Sequence, residues 1–186
     1  MNDSTKTLYR ELLERYVKVT WTHKIQLCQA SINYKKNKNH NTILAILSVL
    51  VSAAAITHVL QWLPETIMVP ILAIFSLALT FVTMLFKAEN LSKAAIENEQ
   101  FAATMHDLRN RYASLLADIK AGIITDSQII QKREILEREE NLIYSGIVPF
   151  TSHEAVEAAE EALKSKQEST TTDEEIKMLV SPNLQL

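Results

Sequence analysis

Three features of the sequence predict an all-α protein built on a hairpin of two transmembrane helices. Residues 42–63 and 67–86 form apolar runs of 22 and 20 residues, and neither run contains Asp, Glu, Lys or Arg. Only a few residues, beginning at Pro64, separate the two runs. The whole chain has two glycines and four prolines, and no segment has the alternating pattern of a strand. Long helices joined by few turns account for all three features.

Each apolar run has the length that a helix needs to cross a bilayer. At about 1.5 Å per residue, either run spans roughly the 30 Å hydrocarbon core. Pro64 is expected to end the first helix, and Pro70 to lie in the first turn of the second, where a missing N–H costs little. Glu65 is the only charged residue between Lys38 and Lys87, and in the turn its charge stays hydrated. The alternative is a soluble four-helix protein with two buried central helices, but neither run has the polar face expected there.

Charge and hydropathy divide the chain into four segments. Residues 1–41 carry eight Lys/Arg and three Asp/Glu and are expected to form an N-terminal cytoplasmic helix. Residues 42–86 form the hairpin, and 87–168 are expected to form a cytoplasmic helical region. Residues 169–186 are expected to be a linker and a short helix after a capping box of Thr172 and Glu175. The formal net charge of −3 gives no electrostatic reason to expect nucleic acid as a partner.

The distribution of lysines predicts the topology of the hairpin. Lys35, Lys36 and Lys38 precede the first run, and Lys87 follows the second, whereas the turn has no Lys or Arg. The positive-inside rule therefore places both termini in the cytoplasm.

Small and hydroxyl residues recur at a spacing of three or four in both runs and fall on one face of each helix. In lipid such stripes let helices approach closely and hydrogen-bond. The alternative is that a stripe lines a water-filled path in an oligomer, although no ring of charged side chains indicates a strongly charge-selective filter. These candidate pore or helix-packing residues are Ala45, Ser48, Ser52, Ala55, Ala73, Ser76, Thr80 and Thr83.

Beyond Lys87 a heptad pattern continues for roughly nine turns, so the helix is expected to run straight out of the second span. Asn98 is the single polar residue on the apolar seam, and in a coiled coil such an Asn fixes register or oligomer state. The alternative is packing against the N-terminal helix of the same chain, with Asn98 bonded to a neighbour. The candidate oligomer seam is Asn98, Phe101, Met105, Leu108, Tyr112 and Leu115.

The boundaries of the later helices are marked by glycines and by capping residues. A glycine after a helix is expected in the left-handed conformation that terminates it, and Asp, Ser or Thr before a helix is expected to cap it. The expected terminators are Gly122 and Gly146, and the expected caps are Asp126 before 127–144 and Thr151 or Ser152 before the next helix.

No arrangement of residues for catalysis or cofactor binding is present in the sequence. Two glycines, both expected at helix ends, exclude a P-loop or a dinucleotide fingerprint. The five histidines show no ligand spacing, and Cys28 is the only cysteine. The carboxylates of 134–142 are interpreted as a solvated face with i,i+4 pairs to Lys132, Arg133 and Arg138. We therefore expect no enzyme activity, no catalytic residues, no cofactor and no metal.

Five stretches of the chain carry a resemblance to a known family. They are WTHKIQLCQASINYKKNKNHNTILAILSVLVSAAA, the short turn with the second apolar run, EQFAATMHDLRNRYASLLADIKAG, YSGIVPFTSHEAVEAAEEAL and TDEEIKMLVSPNL. Together and in this order they resemble the SLATT family, the SMODS- and SLOG-associating two-transmembrane effector domains of bacterial conflict systems. The most specific similarity is an LR-x-x-Y-x-x-LL-x-D run, carried by Arg109, Tyr112, Leu115, Leu116 and Asp118.

The resemblance implies a function that spacing and periodicity do not provide. Proteins similar to these are proposed antiviral effectors that oligomerise in the bacterial inner membrane and form a pore or disrupt it, which causes abortive infection. The implied partners are membrane lipid, further copies of the chain, and a nucleotide signal or partner protein from an associated sensor. The alternative is a membrane-anchored helical sensor or adaptor that recruits a partner without forming a pore.

Overall fold

The computed structural model describes residues 3–59, 64–166 and 168, and these contain helices and turns but no strand. The predicted all-α fold with two long apolar helices is confirmed. The elements in chain order are α1 (Asp3–Val59), α2 (Glu65–Glu89), α3 (Leu91–Ala121), α4 (Asp126–Ser145), α5 (His153–Glu160) and a π-helical turn (Glu161–Ser165).

The chain forms two compact units. Residues 30–98, here called the hairpin unit, contain part of α1, all of α2 and the start of α3. The bundle unit combines residues 1–29 with the chain from 99 onward. The boundaries of these two units differ from those of the four segments expected from charge and hydropathy, and that division into four segments stays a prediction. The last of them, 169–186, lies outside the described residues together with its capping box.

The N-terminal helix and the first apolar run form one continuous helix, α1. Between Asp3 and Val59 the chain has no proline or glycine, so no residue of the two strongest helix-breaking types interrupts it. Residues 60–63 lie outside the described part of the chain. Pro64 then precedes α2 as its N-cap.

Pro70 lies deeper in α2 than expected. It is the sixth residue of the helix, which begins at Glu65, so it is beyond the first turn. The expectation that Pro70 occupies the first turn is therefore wrong. Because proline has no N–H, the carbonyl of Thr66 lacks its usual helical donor, and the helix nevertheless continues to Glu89.

The helix expected to run straight out of the second span is interrupted at Asn90. Asn90 has φ 42° and ψ 46°, and its carbonyl accepts a hydrogen bond from the N–H of Ala94 at 3.1 Å. Asn is one of the few residues besides glycine that adopts this left-handed conformation readily. The prediction of one uninterrupted helix is therefore wrong, and the heptad pattern belongs mainly to a separate helix, α3.

Only one of the two glycines ends a helix in the left-handed conformation. Gly122 has φ +70°, and its N–H bonds to Ile119 while the N–H of Ile123 bonds to Asp118. This is the Schellman pattern expected at a helix end. Gly146 has φ −79° and ψ −166°, an extended conformation that any residue adopts. The prediction is confirmed for Gly122 and wrong for Gly146.

The caps of α4 and α5 are side-chain hydroxyls. Thr125 accepts from the N–H of Gln128, and the Gln128 side chain accepts from the N–H of Thr125, which completes a capping box. Asp126, the predicted cap, is instead the first residue of α4. Ser152 caps α5 by accepting from the N–H of Ala155, as one of the two predicted alternatives.

The core of the bundle unit is formed where α1, α3 and α4 meet. Leu12 and Val19 of α1 and Ile129 and Leu136 of α4 are buried against a larger set from α3. That set contains Met105, Leu108, Tyr112, Leu115, Leu116 and Ile119. The apolar face of α3 is therefore occupied by helices of the same chain.

Candidate functional site

Each of the two apolar helices of the hairpin unit has one face of partly or fully buried side chains. The buried positions recur every three or four residues in both helices, which is the spacing of one helix face. They are Leu44, Leu47, Val51 and Ala54 in α1, and Met68, Leu72, Phe75, Leu79, Val82 and Phe86 in α2. These residues are here called the hairpin seam.

One end of the hairpin unit is held by two further contacts. The ring of His40 stacks on that of Phe86 with centroids 3.6 Å apart and planes 1° from parallel. The amide of Asn33 donates to Oδ1 of Asn98 at 3.1 Å. Both contacts fix which residues of α1 lie beside the end of α2 and the start of α3.

The predicted stripes of small residues lie outside the hairpin seam. Seven of the eight side chains are exposed in the chain, and only Ala55 is partly buried. Four of the five stripe hydroxyls donate to the carbonyl four residues earlier in their own helix, at 2.7–2.9 Å. The hydroxyls at Ser48, Ser52, Thr80 and Thr83 therefore need no partner from another helix.

The two stripes lie on the same side of the hairpin. With 3.6 residues per turn, each stripe is centred about 100° from the seam of its own helix, in the same rotational direction. Because the two helices are antiparallel, an equal rotation in each turns both stripes toward one side. The opposite side has larger side chains, among them Ile46, Leu50, Ile74, Phe81 and Leu85, all exposed.

The candidate oligomer seam on α3 is covered within the chain. Met105, Leu108, Tyr112 and Leu115 are buried in the core of the bundle unit, and Phe101 packs against that core. In the hairpin unit, Asn98 is bonded to Asn33. The structure thus has the intramolecular arrangement, one of the two that the sequence left open. An oligomer through the same side chains stays a prediction, and it requires this core to open.

The residues of the family-like run hold the bundle together. Tyr112, Leu115 and Leu116 are buried in the core. Asp118 pairs with Lys132 of α4 at 2.9 Å. Arg109 is partly buried and its guanidinium lies within 3.4 Å of the Asn110 side chain. Four of the five residues therefore contact the elements that cover α3, and this explains structurally why they occur together.

Charged side chains link α4 to α1 in the bundle unit. Arg15 lies 3.1 Å from Glu137 and 3.2 Å from Glu140, while Arg133 lies 3.1 Å from Glu11 and 3.6 Å from Glu137. Burial by itself would lower the pKa of Arg15, but the carboxylates of Glu137 and Glu140 outweigh it and raise that pKa. These two guanidinium and three carboxylate groups form a connected network between the helices, here called the α1–α4 charge network.

This network corrects the interpretation of the carboxylate-rich run. The i,i+4 pair between Arg133 and Glu137 is present as expected. Glu137 and Glu140 are only 26% and 12% exposed, however, and both point to Arg15 of another helix. The interpretation as a solvated face is wrong for these two. A sequence signal exists for Glu140, which lies four residues after the buried Leu136 and three before the partly buried Ile143, next to the apolar stripe of α4.

Tyr112 extends the charge network to α3. Its hydroxyl donates to Glu140 at 2.8 Å, although the residue as a whole is buried. Burial and the Glu140 carboxylate raise the pKa of Tyr112, so the hydroxyl keeps its proton and remains a donor. On the outer side, Arg111 makes a two-pronged contact with Glu139. Charges therefore join α4 to both of its neighbours.

A pair of histidine rings lies between α1 and α3. The centroids of His23 and His106 are 5.2 Å apart, and Nδ1 of His23 is buried with no hydrogen-bond partner among the described residues. Burial, together with the positive charges of Arg109 and Lys24 and the nearby His106, lowers the pKa of His23 to about 4. No group of three or more His, Cys, Asp or Glu side chains in the described part of the chain is placed to hold a metal ion.

The loop between α4 and α5 is anchored to α1 and exposes two large apolar side chains. Gln26 donates to the carbonyl of Pro149 at 3.3 Å, and Gln29 accepts from the N–H of Ser152 at 2.6 Å. Both glutamines are buried, whereas Ile147 is 95% and Phe150 81% exposed. No pattern within a single helix indicates these glutamine anchors, since they depend on a contact between distant segments.

Length, composition and burial agree on the nature of the apolar helices. Two stretches, in α1 and from α2 onward, are long and apolar enough to cross a membrane, and neither apolar window is buried inside the chain. This argues against the alternative of two central helices hidden in a soluble core. The profile of SMODS and SLOG-associating 2TM effector domain family 4 matches residues 8–175.

The chain belongs to this family. The resemblance drawn from five stretches of sequence is thereby confirmed. Those stretches did not indicate a subfamily, and the matching profile is that of family 4. The two apolar helices correspond to the two transmembrane segments in the family's description. Comparison with curated proteins and with solved structures finds no match to the chain. The assignment to the SLATT family therefore rests on the family profile and on the arrangement of the helices.

Proposed function

We propose that this SLATT protein is an effector of a bacterial anti-phage conflict system that oligomerises in the inner membrane. On activation it forms a pore or disrupts the membrane, and abortive infection follows. Family membership as a two-transmembrane effector domain supports the class of function. The proposed partners are membrane lipid, further copies of the chain, and a nucleotide signal or partner protein from an associated sensor.

The single observation that carries the proposal is the two-sided hairpin. Large side chains fill its seam, and both small-residue stripes lie together on one outer side. In lipid, helices associate by close van der Waals packing of small residues, because lipid tails are as apolar as leucine. A hairpin that needed only to anchor a bundle would have no use for such a side. A second hairpin packed there would bring backbones close together.

The hydroxyls on that side support either role of the stripe. Ser48, Ser52, Thr80 and Thr83 already donate to their own helices, so they cost little when they face lipid or another helix. Their oxygens still accept hydrogen bonds. The same side is therefore compatible with helix contact and with the wall of a water-filled path.

The charge distribution supports an orientation with both termini in the cytoplasm. Lys35, Lys36 and Lys38 flank one end of the hairpin from the N-terminal side, and Lys87 flanks it from the other. By the positive-inside rule that end faces the cytoplasm. The segments before the first span and after the second would then meet a signal produced inside the cell. We propose a non-enzymatic role, without metal or cofactor, because no catalytic arrangement supports another.

Substitutions on the two outer sides of α1 test the proposal. Ala45 lies in the stripe, and Ala53 is exposed on α1 outside it. We expect Ala45→Leu to lower the oligomeric mass in detergent, since the larger side chain keeps the backbones of neighbouring hairpins apart. The release of dye from liposomes should fall by about tenfold. Ala53→Leu adds the same volume to the other side and is the matched control.

Two outcomes would count against the proposal. A detergent-solubilised chain that is monomeric at every concentration removes the basis for a pore. An unchanged membrane potential in cells that die on activation would falsify membrane disruption as the cause of death.

A membrane-anchored adaptor is the second candidate function, and the exposed loop of the bundle unit favours it. Ile147 and Phe150 are held in solvent by a loop whose backbone is fixed by buried glutamines, and exposed apolar residues on a rigid support are typical of protein contacts. Replacing both spans by an unrelated hairpin separates the candidates. Activity that survives the replacement supports the adaptor, and activity that is lost supports the pore.

A further inference from the structure

Part of the predicted oligomer seam lies in a core that α1 and α4 cover together, and the contribution of α4 to that core is small. Of the 20 residues of α4, only Ile129 and Leu136 are buried. Ile143 of the same helix is partly buried against that core. The face of α3 contributes six buried residues to the core, and α1 and α4 share it. By its apolar side chains α4 is therefore held less extensively than α3.

Besides hydrogen bonds such as that from Tyr112 to Glu140, ion pairs attach α4 to its neighbours. On the side of α1 these are the pairs of Arg15 and Arg133 with Glu137, Glu140 and Glu11. On the side of α3, Lys132 pairs with Asp118 and Glu139 with Arg111. Most of these side chains are a quarter to a half exposed, and ion pairs in that setting contribute little and are screened by salt.

The contact between α3 and α4 is open to solvent along one edge. A surface cleft of about 260 Å³ lies between the two helices there, with Leu115, Ile135 and Leu136 among its lining residues. Along this line α4 lies on α3 without closing over it fully.

We propose that α4 is a releasable cover, and that its departure exposes the part of the α3 seam that α1 leaves uncovered to a second copy of the chain. The inference rests on the proposed function, because it names the step that controls oligomerisation. Before release, Met105, Leu108, Tyr112 and Leu115 pack inside one chain. After release, the same heptad positions pack between chains, so the two interpretations of the seam describe two states of one element.

Charge reversal on α4 tests the cover. Arg133→Glu places a carboxylate beside Glu11 and Glu137, which repels α4 from α1. Arg138→Glu is the matched control, because Arg138 is exposed on the same helix and no ion pair joins it to another element in the described part of the chain. Both variants change the net charge equally, and both are measured as the full chain in detergent and in liposomes.

We expect Arg133→Glu to speed amide hydrogen exchange in α4 about tenfold, while α3 keeps its helix. The oligomeric mass should rise relative to Arg138→Glu, and spontaneous dye release should increase about tenfold. If Arg133→Glu unfolds the whole bundle, Lys132→Glu serves in the same assays, because it reverses the more exposed pair with Asp118.

A reversible tether distinguishes release of α4 from other effects of the charge. In a Cys28→Ser background, Arg111→Cys and Glu139→Cys are joined by a thiol reagent whose linker is cleaved by reduction. With Arg133→Glu present, the tethered protein should return to the mass and leakage of Arg138→Glu, and reduction should raise both again. Leakage or mass that stays high with the tether intact overturns the cover.

The cover and the proposed function fail in different ways. If α4 is released but the oligomeric mass is unchanged, the proposal of a releasable cover is wrong, whether or not dye is released. A rise in mass without dye release in any variant leaves the cover supported and overturns the pore. The proposal is also wrong if the rate of amide hydrogen exchange in α4 is the same in Arg133→Glu, Lys132→Glu and Arg138→Glu, since charge then does not hold the helix.

Discussion

The side-chain amide of Asn33 donates to Oδ1 of Asn98 across 3.1 Å, and the two residues are only 7% and 1% exposed. The bond joins α1 to the start of α3 inside the hairpin unit. A buried amide pair favours one alignment of two helices, because sliding either helix would place an amide against apolar side chains. Asn98 therefore has a role in the single chain, whatever it does between chains.

Replacing Asn98 by Leu should destabilise the hairpin unit. The change removes a buried acceptor, and leaving its donor without that bond costs about 1–3 kcal/mol. The double variant Asn33→Leu/Asn98→Leu should recover part of the loss, because neither amide of the pair remains. The measurement is thermal melting of the detergent-solubilised protein by circular dichroism. An Asn98→Leu protein with an unchanged melting temperature and a new oligomeric mass would favour the oligomer seam instead.

Replacing Tyr112 by Phe should weaken the attachment of α4. The hydroxyl that donates to Glu140 is lost from a buried site, and hydrogen bonds to charged groups contribute about 1.5–3 kcal/mol. The control is Tyr144→Phe, which removes a hydroxyl that contacts Thr22 at the surface and should change stability by less than about 0.5 kcal/mol. Chemical unfolding of both variants checks this, and equal losses would contradict the role given to Tyr112.

The stability of the bundle unit should fall as the pH drops from about 6.5 toward 4. His23 has a pKa lowered to about 4, mainly by burial, whereas the unfolded chain has an ordinary histidine pKa near 6.5. Between these values the unfolded state binds more protons, so acid favours it, and the contribution is complete only above about pH 6.5. His23→Gln should flatten the dependence of melting temperature on pH in this window. The exposed His153→Gln should not, and similar curves for both would contradict the assignment.

Replacing Gly122 by Ala should destabilise the end of α3. Gly122 has φ +70°, and a side chain in this conformation costs about 1–2 kcal/mol even though the space around it is open. Gly146→Ala should cost less, because φ is −79° and the new side chain meets only one close contact, 3.3 Å from its Cβ to the carbonyl oxygen of Ile143. Melting temperatures of the two variants test the difference. A larger loss at Gly146 would show that conformation is not the deciding factor.

Local signals in the sequence predicted the features that depend on local chemistry. The left-handed Gly122 and the Ser152 cap follow from which residues satisfy helix ends. Where two neighbouring residues were both suitable, the local signal failed, since Thr125 rather than Asp126 caps α4. The break at Asn90 was missed for a similar reason, because Asn adopts the left-handed conformation but does not require it.

These local signals did not predict which residues of different helices contact each other. Glu137 was expected to bond within α4, and it does so with Arg133, but it also reaches Arg15 of α1. Gln26 and Gln29 anchor a loop more than 100 residues away along the chain. Such contacts depend on which helices become neighbours, and a pattern within one helix does not contain that information.

By itself, the sequence determined that this protein has two membrane-length apolar helices, a charged remainder and the family-like motif. These features depend on hydropathy and on residue identity, which are properties of each segment alone. The tertiary structure decided that the heptad face of α3 is covered by α1 and α4, and that both small-residue stripes lie on the same outer side of the hairpin. Those outcomes depend on the competition between partners for the same apolar surface, because a face that is buried inside one chain is not available to the next.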